Sequence, residues 1–102
     1  MIISRDIARQ IALLPIVSTR VEIPAANTSA LLVAANNSRL DVTLVNRSNK
    51  SLWISYGEAA TKKDILIKSA TQITITNVKA DIYGIWDNGP NNGVTIFENS
   101  AG

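Results

Sequence analysis

Cysteine and histidine are both absent from the 102-residue sequence. Without cysteine there are no disulfides and no thiol nucleophile; without histidine there is no imidazole acid–base pair. Nearly all zinc chemistry goes with them, because zinc sites draw on those two side chains, and a metal would be left with oxygen ligands alone. Charge is scarce too. Ten Lys and Arg against eight Asp and Glu leave a net charge of +2, two surplus charges on a nearly balanced chain, which is no signature of a nucleic-acid binder. No apolar run approaches the roughly 20 residues that span a bilayer. The opening Met1-Ile2-Ile3-Ser4-Arg5-Asp6 also lacks the uninterrupted apolar stretch of a signal peptide. The expectation is a soluble protein with no membrane partner, not exported by that route.

Catalytic patterns are missing in the same way. No serine sits in Gly-x-Ser-x-Gly, no Gly-rich phosphate cradle enters a helix, and no Asp-x-Asp-x-Asp-Gly calcium loop occurs. Asp87-Asn88-Gly89 is the nearest approach to a weak calcium site. The eight carboxylates are scattered, and Asp87 with Glu98 is the one couple whose strands flank a single loop, as a glycosidase pair would require. Solvated strand-end charges explain that couple more simply. Arg39, Arg47 and Lys50 near Trp53 are the best available nucleic-acid patch, and a turn decorated with solvated charges accounts for them as well. The chain is expected to be no enzyme and to need no cofactor.

What the sequence does contain is Asn, Ser, Thr and β-branched aliphatics, the mixture of short strands joined by tight polar turns. Strands are predicted near 17–23, 29–35, 40–46, 51–56, 64–68, 71–77, 81–87 and 93–98. Alternation puts Leu40, Val42 and Leu44 on one face opposite Asp41, Thr43 and Val45, and Ile73 and Ile75 opposite Thr74 and Thr76. Asn36-Asn37-Ser38, the run from Asn46 to Lys50, and the loop around Pro90 read as turns. The segment from Glu58 to Lys63 is compatible with one helical turn or a loop. Eight short strands without a strong helix favour an all-β fold, an antiparallel β-sandwich of jelly-roll or related Greek-key type. One modest core is all that this length supports, so association with other chains is expected to matter.

Residues 1–16 differ from the 17–102 sandwich domain. Ile3, Ile7, Ile11 and Leu14 fall at helical spacing, with Ser4 placed to cap and Pro15 to stop, as in an amphipathic N-terminal arm. An irregular terminus or an added strand is the alternative. In Ser51-Leu52-Trp53-Ile54-Ser55-Tyr56-Gly57, alternation turns Leu52, Ile54 and Tyr56 one way and Trp53 the other. Trp53 beside Val45 or Phe97 would make a sugar-stacking platform or a protein contact; otherwise it covers a core edge or packs under the arm. Trp86 is expected in the core, and Gly84 at a bulge or a close backbone approach.

Leu31-Leu32-Val33-Ala34-Ala35-Asn36, Arg39, Leu44-Val45-Asn46-Arg47-Ser48, Leu52 to Gly57, and Tyr83-Gly84-Ile85-Trp86-Asp87 with Val94-Thr95 together resemble small β-sandwich virion proteins of tailed bacteriophages. The resemblance spans about residues 29 to 96, leaves the arm outside, and departs at the loop after Lys68, where a glycine is expected. It implies a capsid decoration or cement protein on the virion's capsid surface, assembled in the reducing host cytoplasm. Its implied partner is the major capsid protein, and its implied state a homo-oligomer, dimer or trimer. Ile3, Ile7, Ile11, Leu14 and Trp53 are the candidate partner contacts. A tail, neck or baseplate component, or a carbohydrate-binding module, are the alternatives.

Overall fold

The computed structural model describes residues 16–101. Eight strands follow one another: β1 (Ile16–Pro24), β2 (Ala30–Val33), β3 (Arg39–Asn46), β4 (Leu52–Tyr56), β5 (Ile65–Ile67), β6 (Gln72–Thr76), β7 (Ile82–Trp86) and β8 (Gly93–Ala101). All eight expected strands are present. They form two antiparallel four-stranded sheets in the orders β1-β8-β3-β6 and β2-β7-β4-β5, the strand order of a jelly roll. Consecutive strands therefore alternate between sheets over much of the chain, and the described residues contain no helix. The arm and its stripe of Ile3, Ile7, Ile11 and Leu14 lie outside the described residues.

The core follows from the pleat. Val42, Leu44, Ile75, Val94 and Ile96 from the first sheet meet Leu32, Val33, Leu52, Ile54, Ile67, Ile82 and Trp86 from the second. Burying each aliphatic side chain there contributes about 1.5–3 kcal/mol relative to exposure. Trp86 is fully buried, as expected, although its indole Nε1 has no hydrogen-bond partner. Gly84 sits where a side chain would press on Leu32, its Cβ position 2.5 Å from Leu32 Cδ1. The adjoining irregularity lies in β2, between Leu31 and Val33.

One expected inward residue is outside. A bulge shifts the β3–β8 register between Arg39 and Asp41, leaving Leu40 unopposed and 47% exposed. One extra residue reverses the alternation upstream of it, so Arg39 takes the inward place that Leu40 would have held.

β3 runs from Arg39 at one end of the sandwich to Asn46 at the other, and each residue closes its end. Arg39 is 2% exposed. Its Nη1 donates to the carbonyls of Val78 and Ala80, its Nη2 to that of Ala34, and its Nε to Glu98 Oε2. Asn46 is fully buried; its Nδ2 donates to the carbonyls of Lys50 and Ile67, and its Oδ1 accepts from Ser48 N–H and Oγ–H. Arg39, Arg47 and Lys50 therefore do not share one turn region, and Arg39 is no solvated charge.

The segment from Gly57 to Asp64 is a loop. Gly57 turns the chain with a φ of 77°, and Ser55 Oγ donates to the Glu58 carbonyl. Ala60 N–H then donates to Ser29 Oγ, and Lys62 approaches Asp87 at 3.7 Å. These anchors carry the loop back over the outer side of the second sheet, where Ala60 is buried.

Candidate interaction surfaces

The register fixes what each sheet shows to the outside. Cross-strand partners share a face, so three rows cross the outer face of the first sheet. They are Ser18–Asn99–Asp41–Thr76, Arg20–Phe97–Thr43–Thr74 and Glu22–Thr95–Val45–Gln72. This face is mostly polar and tied by side-chain hydrogen bonds: Ser18 Oγ to Asn99 Oδ1 at 2.6 Å, Asn99 Nδ2 to Asp41 Oδ1 at 2.8 Å, and Thr43 with Thr74 at 2.8 Å. The second sheet's outer face carries Leu31–Tyr83–Ser55 and Ile85–Trp53–Leu66. It is apolar and aromatic, and the 57–64 loop lies over part of it.

Trp53 thus points outward, half-buried between Ile85 and Leu66. Val45 and Phe97 are on the other sheet's outer face, so the platform joining them to Trp53 does not form. Tyr56 is opposite Ile82 on the inward side at the Arg39 end, 37% exposed. Burial pushes its phenol above the ordinary value of 10.0. Tyr83 shares the outer face with Trp53 but sits in the neighbouring row.

The carboxylates among the described residues stay scattered. Asp87 follows β7 in the second sheet at the Asn46 end, whereas Glu98 lies on β8 in the first sheet, bonded to Arg39 at 2.6 Å. Their strands flank one loop but diverge into different sheets, so no acid–base couple forms. Among the described residues no three acidic side chains gather as a metal site, and no helix is long and apolar enough to cross a membrane. A shallow groove of about 490 Å³ runs along the Asn46 end, bounded by Glu22, Pro24, Arg47, Asn92 and Thr95. Arg47 Nε is held there by Thr95 Oγ1 at 2.8 Å. Its walls supply opposite charges and amides but no nucleophile paired with a base.

Among the described residues the most conspicuous edge is β1. Its nine residues are exposed except Ile23, and its register against β8 runs without a shift from Ile16–Ala101 to Pro24–Gly93. The other edges are short or irregular: β2 has four residues and a register shift, β5 three and β6 five. Sequence reading assigned β1 as a strand without singling out its edge, since which strand lies outermost depends on long-range topology.

No family model matches the chain, and no curated protein matches it in sequence. A solved structure does share the fold. A chain from a structure of Bacillus endospore appendages, described as a family of disulfide-linked pili, aligns over 86% of this chain and 89% of its own. The identity is 18% and the TM-score 0.52. A chain of the Tobacco streak virus coat protein dimer aligns over 82% of this chain and 86% of its own at 12% identity, with a TM-score of 0.34.

Proposed function

We propose that this chain is a structural subunit of a virion, a capsid decoration or cement protein that binds the major capsid protein and stabilises the shell. The observation that carries this reading is the kind of surface the jelly roll offers. Broad sheet faces and an open strand edge suit packing against other chains, whereas the described carboxylates and hydroxyls assemble no catalytic group. The resemblance of residues 29 to 96 to phage virion proteins supplies the location. The residues ahead of β1 act as the attachment arm, Ile3, Ile7, Ile11 and Leu14 bury their apolar stripe at capsomer junctions, and Trp53 is a further contact. Many identical sites on a shell turn weak contacts into avidity, and binding only the assembled state favours it by mass action.

Disulfide linkage of the kind named for the endospore pili is closed to these 102 residues, which contain no cysteine. Occupancy on purified phage heads tests the proposal: the full chain binds, and deletion of residues 1–14 removes it. Unchanged occupancy overturns the arm's role, and absence of the full chain from heads while it labels tails, necks or baseplates moves the protein to those structures. Outward-facing Trp53 also supports a carbohydrate-binding reading. Glycan-array binding that Trp53→Ala abolishes would put that reading first.

A further inference from the structure

We infer that β1 is a self-complementary docking edge that pairs antiparallel with β1 of a second copy, joining two four-stranded sheets into one continuous sheet. The inference rests on the strand edge alone and does not depend on capsid attachment.

Exposed strand edges are normally blunted by shortness, bulges, charged side chains (lysine above all), proline or inward charges; β1 carries one charge of each sign, Arg20 and Glu22, and its proline only at its last position. β2, β5 and β6 are blunted by length or by the β2 register shift, while β1 has nine residues, no shift and no lysine. Its backbone polarity can be assigned. Ala25 N–H donates to the Asn92 carbonyl at 3.1 Å, which continues the β1–β8 register by one residue. Hydrogen-bonded pairs alternate along an antiparallel ladder. Val17, Thr19, Val21 and Ile23 therefore spend their N–H and C=O on β8, and Ser18, Arg20 and Glu22 aim theirs at the open edge. Pro24 falls in the open-edge series, where its missing donor breaks no bond to β8.

Charge selects the register. Only residues of the open-edge series can face each other in hydrogen-bonded pairs across a two-fold axis. Centring on Arg20 opposes two arginines, and centring on Glu22 opposes two glutamates, both unfavourable directly across a ladder. Centring on Val21 instead sets Arg20 opposite Glu22 of the second copy, and Glu22 opposite its Arg20. Each pair adds side-chain attraction to two backbone bonds, and Ser18 donates to the Pro24 carbonyl at either end. The same register brings Val21, 48% exposed on the inward-looking face, against its own counterpart, with Thr19 opposite Ile23.

Charge exchange tests this on the full chain, because Arg20 and Glu22 both lie on the outer face, away from the core. Sedimentation measures the subunit association constant. Arg20→Glu and Glu22→Arg each oppose like charges twice and weaken association about tenfold or more. The double exchange restores it, and so does mixing the two single variants, since each then faces its opposite. Independently, Val21→Cys introduces the chain's lone cysteine at a non-hydrogen-bonded pair, where Cα atoms lie about 4.5 Å apart, within disulfide reach. Air oxidation should yield a covalent dimer. A monomeric native chain, association indifferent to the single exchanges, or a Val21→Cys chain that stays uncrosslinked overturns the inference.

Discussion

Arg39 Nε donates to Glu98 Oε2 at 2.6 Å inside the sandwich, with the arginine side chain 1% and the glutamate 17% exposed. The guanidinium also bonds three carbonyls from two loops, Ala34 after β2 and Val78 and Ala80 before β7, so one side chain ties the end of the first sheet to the chain entering and leaving the second. Breaking a buried pair by removing one partner costs about 3–5 kcal/mol, because the other charge is left without compensation. Arg39→Ala should fall in that range by urea unfolding. Glu98→Gln should cost less, since the guanidinium keeps its carbonyls and an amide acceptor.

The opposite end depends on Asn46. Its amide donates to two carbonyls and its oxygen accepts from Ser48 twice. Asn46→Asp keeps the shape but turns the donor into an acceptor facing the Lys50 and Ile67 carbonyls, out of water. An unsatisfied buried group costs about 1–3 kcal/mol, more when charged. A fall of about 3 kcal/mol or more in unfolding free energy is expected, measured by denaturant titration at neutral pH.

Two changes of a single methyl group should have opposite signs. Ala70 has a φ of 61°, and Thr71 N–H donates to the Lys68 carbonyl at 3.2 Å, a turn whose third residue suits glycine. Ala70→Gly should raise stability by up to about 1 kcal/mol through relief of left-handed strain. Gly93→Ala should do the reverse, because its Cβ would collide with the Ile23 carbonyl oxygen and stand 2.7 Å from Pro24 Cα. Overpacking against backbone costs about 1–3 kcal/mol. Thermal melts of both variants settle the signs.

Alkaline pH should weaken the fold partly through Tyr56. Burial raises its phenol pKa in the folded state above 10.0, so the unfolded chain loses that proton first. The contribution is intact below about pH 10 and is lost as pH rises through the folded value. Tyr56→Phe should lose less stability than the parent between pH 9 and pH 11, read as the difference in melting temperature.

Much of this architecture was legible because strand periodicity is local. Val42 and Leu44, Leu52 and Ile54, and Trp86 all entered the core as alternation and composition required. The failures share one cause, dependence on a partner strand. The Arg39–Asp41 bulge exists only in relation to β8, and it exchanged Leu40 for Arg39 on the inward face. Asp87 and Glu98 belong to strands that flank one loop, but the sheet switch between β7 and β8 separates them. Trp53 was legible as lying opposite Leu52 and Ile54, whereas its row neighbours Ile85 and Leu66 required the pairing of three strands.

Ile16 lies opposite Ala101, so the two ends of the described chain leave the sandwich side by side. Tension applied between those ends would pull across the β1–β8 ladder and load its hydrogen bonds one after another, as a zipper opens. Tension carried lengthwise along β1 would instead shear the whole ladder at once and meet far greater resistance. The direction from which neighbours pull on this domain thus sets its mechanical strength, even with every contact unchanged.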